Sequence, residues 1–238
     1  MRVLEDHTTD EGEPFLVMEI LRGETVLDAW RKVGRQMAII PALQIAERVI
    51  DCLAFCHEVG VIHRDLKPAN LFITDASEIK VLDFGVAQMR DDDLASASSK
   101  APEARSAVGT PAYMSPEQAM GRDVDGRTDL FSVGAILHAL ITGHRIHAAK
   151  TEAESLVLAA SRPVPSVKTI APNLPPEVAR LIDRSLAWDR QSRFASAAAM
   201  QSAALEALAS QGGEPLGEKG GKARGLVFDL SGAPTRAP

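Results

Sequence analysis

The chain has 238 residues, 45% hydrophobic and 24% charged, enough for one large domain or two small lobes with a real core. A formal net charge of −6 argues against nucleic acid as a partner. The longest apolar stretch, LFSVGAILHALI, is interrupted by Ser132 and His138 and is too short to span a bilayer, so no membrane segment is expected.

In chain order, the N-terminal MRVLEDHTTDEGEP is acidic and polar, unlike a signal peptide. RVLEDH reads as a strand, DEGE as a turn, and PFLVMEI (14–20) as a short buried strand. TVLDAWRKVG predicts a helix capped by Thr25 and stopped at Gly34. From Pro41 to Gly60 the apolar residues Leu43, Ala46, Val49, Leu53 and Cys56 recur at helical spacing. The two cysteines, Cys52 and Cys56, lie four apart on that helix. They are expected to fill its face as buried thiols, since no third cysteine exists to complete a thiolate site. That usage suits a reducing, cytoplasmic setting.

A polar segment follows, HRDLKPANLF (63–72), and then two short apolar runs, LFIT and IKVLDF, which the intervening DASE turns into a hairpin. Residues 88–108 are polar and rich in Ser and Ala and predict a mobile loop. DLFSVGAILHALITG is apolar nearly all round, the pattern of a central buried helix ended by Gly143. GHRIH (143–147) reads as a solvated loop rather than a metal pair. TEAESLVLAAS, PPEVARLIDRSLAW and ASAAAMQSAALEALAS give three more helices, and GGEPLGEKGGKARG from Gly212 onward a flexible tail.

The segment 63–72 carries the chemistry. Its polar groups are costly to desolvate among apolar neighbours unless they are paired or used. Asp65 and Asn70 stand in a D-x-x-x-x-N spacing, LDFG (82–85) supplies Asp83 ahead of Phe84, and GTPAYMSPEQ (109–118) follows. Taken singly, Asp65 could merely cap a turn and Asn70 could satisfy local backbone. As an ordered set, the three motifs resemble the Ser/Thr protein kinases, most closely the bacterial members, from about Val3 to about Leu208.

The resemblance implies an α+β, protein-kinase-like fold. Residues 1–21 would be a remnant of the small-lobe strands and hinge, 22–211 a mostly helical large lobe with a catalytic hairpin, and 212–238 the tail. It implies ATP with Mg²⁺ or Mn²⁺ and a protein substrate. By matching motif positions, Asp65 would be the catalytic base and Lys67 would sit near the transferring phosphate, while Asn70 and Asp83 would hold the metal. Met18 would be the gatekeeper, the backbone of Glu19 and Leu21 would meet the adenine edge, and Leu71 and Phe72 would floor its pocket. His63 and Phe84 match a hydrophobic stack beneath the site. Asp129 matches a buried aspartate that braces the catalytic loop, and Glu117 with Arg193 an ion pair anchoring the activation segment. Phe131 and GHRIH depart from the usual pattern. Arg64 could pair with a phosphate on the activation segment, Ser106 being the best-placed acceptor, and Thr110 would lie on the substrate side.

A phosphate-gripping glycine loop, a strand lysine and a helix glutamate would precede the hinge. The seventeen residues before Met18 contain one glycine and no lysine. The chain is therefore expected to be weak or inactive as it stands, with a bare apolar face around Leu71, Phe72 and Phe84 that promotes self-association. The alternative is a kinase-like binding or scaffold module without catalysis.

Overall fold

The computed structural model describes residues 3–9, 11–83, 111–147 and 149–216. Phe84, Ser106 and Thr110, the loop expected over 88–108 and the tail beyond Leu216 lie outside the described residues.

Strands β1 (Val3–Thr8) and β2 (Pro14–Met18) form an antiparallel hairpin. It is a sheet of its own, separate from the three-stranded antiparallel sheet of β3 (Gly23–Thr25), β4 (Leu71–Thr74) and β5 (Ile79–Val81). Leu4, Phe15, Val17 and Met18 on the hairpin are 36–53% exposed, so the expected burial of this strand is not met. A two-stranded ribbon has no second layer to cover it. Strand β3 is too short for its pattern to be read. It exists because Gly23, at φ 139°, approaches the backbone so closely that a Cβ would stand 2.0 Å from the Ile73 carbonyl oxygen.

Helix α1 (Val26–Lys32) starts where expected, with the Thr25 hydroxyl accepting from the Asp28 N–H. Helix α2 (Ile39–Glu58) buries Leu43, Ala46, Val49 and Leu53. Cys52 and Cys56 are half-buried rather than buried, because they fall on the flank of that stripe. The catalytic hairpin, β4 and β5, forms as read, turning through Asp75–Glu78 with the Ser77 N–H bonded to the Thr74 carbonyl.

Four-residue α3 (Pro116–Ala119) is capped by a reciprocal Ser115–Gln118 box. Helix α4 (Arg127–Thr142) is the centre of the body, with every residue from Thr128 to Thr142 buried. Each fully buried Leu or Ile contributes about 1.5–3 kcal/mol. It packs on α2 and on α6 (Pro176–Ser185), and α2 and α6 both pack on α7 (Ala197–Ser210). Gly134 permits the α4–α6 approach, where a Cβ would come within 2.5 Å of the Ser185 Cβ. Gly143 ends α4 in the left-handed region at φ 78°. Helix α5 (Glu152–Ser161) lies beyond the 143–147 loop, in which Ile146 and His147 are buried, so that loop is seated rather than solvated. Gly212–Leu216 also depart from the expected tail. The Gln44 side chain donates to the Glu214 carbonyl at 2.7 Å, and Leu216 is buried.

The separation of the hairpin from the helical body predicts unequal protection. Amides of β1 and β2 should exchange with solvent at least about a hundredfold faster than those of α4. Native-state hydrogen exchange by NMR or mass spectrometry measures this, and equal protection would show that the hairpin is held by the body.

Candidate active site

Asp129, in the first turn of α4, is fully buried. Its Oδ2 accepts from the His63 N–H and its Oδ1 from the Arg64 N–H, both at 2.9 Å. The His57 ring donates to Oδ2 at 2.8 Å. The position N-terminal in a helix favours a carboxylate, and the bonds compensate its desolvation. The braced segment includes Arg64 in the left-handed region at φ 69°. For a side chain that large the conformation is costly, and such residues persist where the surroundings over-determine them.

His63 is fully buried and carries the brace onward. Its Nε2 donates to the Leu82 carbonyl at 2.9 Å and its Nδ1 accepts from the Asp65 N–H at 3.3 Å, which assigns one neutral tautomer. The Leu82 N–H in turn bonds the Asn70 carbonyl at 2.8 Å. Leu82 is thus pinned on both sides, and Asp83 follows it at φ 58° with an exposed side chain.

Within the loop, Lys67 Nζ donates to Asp65 Oδ2 at 2.6 Å. The Asn70 Nδ2 donates to the Asp65 carbonyl at 2.9 Å and reaches Oδ2 at 3.3 Å. Asp65, Lys67 and Asn70 are therefore brought together. With its amide nitrogen so used, the Asn70 oxygen is the atom that would be left for a cation. Among the described residues no group of three or more His, Cys, Asp or Glu could hold a metal alone. One amide oxygen and one carboxylate fit a hard cation that completes its shell with phosphate oxygens and water.

The adenine-side residues divide. Leu71 is 1% exposed and belongs to the core, because alternation along β4 turns it inward and leaves only Phe72 half-buried on the other face. Leu71 is thereby removed from the pocket floor and from the bare patch. Exposed apolar side chains lie instead on the hairpin, at Ile20 just after it, which is 93% exposed, and singly at Phe55, Val59, Val157 and Ile170. Met18 ends β2, and Glu19 and Leu21 beyond it are half-buried.

A second brace lies across the body. Arg193, 2% exposed, forms a bidentate pair with Glu117 at 2.7 and 2.8 Å. It also donates to the carbonyls of Ala187, Arg127 and Trp188. The Thr128 hydroxyl donates to Glu117 Oε1 at 2.8 Å. Phe131 finds its reason here, since the Arg193 guanidinium lies 4.8 Å from its ring centre. Two residues escaped sequence reasoning. His57 joins Asp129, and Gln118 donates to the Arg64 carbonyl at 2.7 Å. The S-x-x-Q capping signature marks Gln118, but not its reach to the catalytic loop.

Burial pushes the Glu117 carboxyl up, yet the Arg193 guanidinium and the Thr128 hydroxyl outweigh it and hold it below the usual value. A depressed carboxylate contributes stability that is complete above its unfolded value, about 4.3, and is lost as pH falls through the folded one. Glu117→Gln should therefore flatten the acid limb of the stability curve. Arg193→Ala, which strands a buried carboxylate, should cost about 3–5 kcal/mol in urea unfolding. A change under about 1 kcal/mol would show the pair to be dispensable.

Comparison with known proteins bears on the same residues. Residues 3–205 match the model of the protein kinase domain. The chain is 40% identical over 200 residues to the serine/threonine-protein kinase Pkn1 of Myxococcus xanthus, covering 82% of this chain and 28% of that protein. It is 34% identical over 210 residues to the probable serine/threonine-protein kinase PknB of Bifidobacterium longum, covering 87% and 29%. It is 32% identical over 206 residues to the serine/threonine-protein kinase PknL of Mycobacterium tuberculosis, covering 87% and 50%. The chain thus spans half or less of each of these three relatives. No helix among the described residues is long and apolar enough to cross a membrane. The buried aspartate, the catalytic loop it braces and the family match agree, and the chain belongs to the protein kinase family, among bacterial relatives of the Ser/Thr type.

Proposed function

We propose that this chain carries the catalytic lobe of a cytoplasmic Ser/Thr protein kinase that moves the γ-phosphoryl group of ATP to a protein hydroxyl. The observation that carries the reading is the convergence of Lys67 Nζ and Asn70 Nδ2 on the Asp65 carboxylate, at 2.6 and 3.3 Å, in a loop braced by Asp129. Asp65 orients the attacking hydroxyl and accepts its proton. Lys67 holds Asp65 in place and brings positive charge beside the transferring group. Asn70 and Asp83 supply oxygen donors for Mg²⁺ or Mn²⁺, which would neutralise charge on the phosphates when bound. Phe72 lies under the base and Met18, Glu19 and Leu21 along its edge.

Residues 1–17 hold one glycine and no lysine, so the groups that grip the phosphates must be supplied in addition for efficient transfer. The alternative reading is a lobe that binds partners without catalysis. Supplying a small lobe with a glycine loop and strand lysine, fused or as a separate chain, discriminates them. Metal-dependent transfer of labelled γ-phosphate to Ser or Thr should then appear. Asp65→Asn should lower it by about 10²–10⁴-fold, and Asp83→Asn at least as far. A folded assembly that binds ATP with metal and transfers no more than the Asp65→Asn control would leave the binding module.

We further propose that these 238 residues self-associate through the hairpin, where Leu4, Phe15, Val17 and Met18 are exposed on one ribbon. Sedimentation velocity should show a weight-average mass that rises with concentration. A monomer throughout would remove the proposal.

A further inference from the structure

A cavity of about 720 Å³ lies between α1, the Pro111–Tyr113 turn, the α4–α5 connection and the segment after α5. Four arginines line it, Arg31, Arg35, Arg145 and Arg162, and among the described residues no aspartate or glutamate does. In a chain of net charge −6 this is a local inversion of sign. Among the described residues Arg31 alone of the four has an ion pair, an exposed one to Asp28 at 3.3 Å. Arg35, Arg145 and Arg162 have no carboxylate within 4.0 Å among the described residues.

The floor adds a second observation. Trp30 lines the cavity, is 6% exposed, and its indole N–H is buried without an acceptor among the described residues. An unmet buried donor is costly. Guanidinium groups donate and cannot accept, so the four arginines call for an anion with several oxygens. His147, also on the wall, is held below its ordinary value by burial and then by the Arg162 charge, as a positive field requires.

The surroundings decide the kind of anion. Helix α1, which supplies Trp30 and Arg31, packs on the Pro68–Asn70 turn of the catalytic loop. Tyr113 leads directly into Ser115–Gln118, and Gln118 is bonded to the carbonyl of Arg64, the residue before Asp65. The cavity thus adjoins the loop that would receive a substrate hydroxyl. Its size suits a few residues of an extended chain, and its apolar wall, including Leu27 and Ile146, suits their stems. We infer that this cavity is a docking subsite for acidic side chains of the protein substrate. The inference rests on the kinase reading of the neighbouring loop.

The chain contains two tryptophans, so Trp188→Phe leaves Trp30 as the sole reporter inside the cavity. The probe is a short serine peptide flanked by aspartates and glutamates. It should change Trp30 emission saturably, more tightly at low salt. The same peptide with Asn and Gln in place of the acids should not. Arg145→Glu with Arg162→Glu should weaken binding by at least about tenfold, with circular dichroism confirming the fold. Anisotropy of the labelled peptide on the unaltered chain gives the same comparison should Trp188→Phe not fold. Equal response to the acidic and amide peptides, or unchanged binding by the doubly reversed chain, would overturn the proposal. So would saturation by inorganic phosphate at the same concentration, which would make this a small-anion site. No phosphoryl transfer is measured, so failure here leaves the kinase reading standing. Failure of the Asp65→Asn comparison likewise leaves a measured peptide affinity in place.

Discussion

The Asp129 carboxylate, fully buried and bonded to the backbone N–H groups of His63 and Arg64, is the point from which the candidate site is built. A buried carboxylate without donors would cost several kcal/mol. The fold therefore cannot bury α4 without also fixing the catalytic-loop backbone, and the reverse holds as well. From there the constraint passes through the His63 ring to the Leu82 carbonyl and the Asp65 N–H. The base and the expected metal carboxylate, eighteen residues apart, are positioned by one imidazole. Left-handed backbone at Arg64 and Asp83, on either side of that ring, is the local cost of so tight a linkage.

The first turn of α4 does more than hold Asp129. Thr128 donates to Glu117, and Phe131 lies under the guanidinium that pairs with the same glutamate. Two braces thus meet on four consecutive positions of one helix. The Glu117–Arg193 pair ties α3 to the α6–α7 connection, while Gln118, its neighbour, bonds the Arg64 carbonyl. Opposite sides of the Arg64 peptide groups are thereby held, the N–H by Asp129 and the carbonyl by Gln118. Such double tethering preorganises a loop whose sequence alone would leave it free.

Much of this was legible in the sequence, for identifiable reasons. The helices declare themselves by period, by the Thr25 cap and by Gly143. The catalytic loop declares itself by carrying polar groups at fixed spacing between apolar flanks. What escaped depends on distances in space. His57 meets Asp129 across 72 residues, and the four arginines of the cavity come from α1, its following turn, the α4–α5 connection and the end of α5. Leu71 was misplaced although alternation along LFIT could have turned it inward, because family matching treats adjacent residues alike where the pleat does not. The hairpin strand was read as buried from its apolar run, but burial requires a second layer, and composition does not reveal whether one is present.

The hairpin and the helical body also divide the chemistry. The bonds described to the side chains of Asp65, Lys67 and Asn70 come from the catalytic loop itself, Leu82 holds the Asn70 carbonyl, and the braces behind the loop come from α2, α3 and α4. Orientation of the base is therefore a property of the body, and grip on the phosphates is a property of elements ahead of the hinge. The two enter catalysis as separate free energies, one as preorganisation of the acceptor side and the other as ground-state and transition-state binding of the nucleotide.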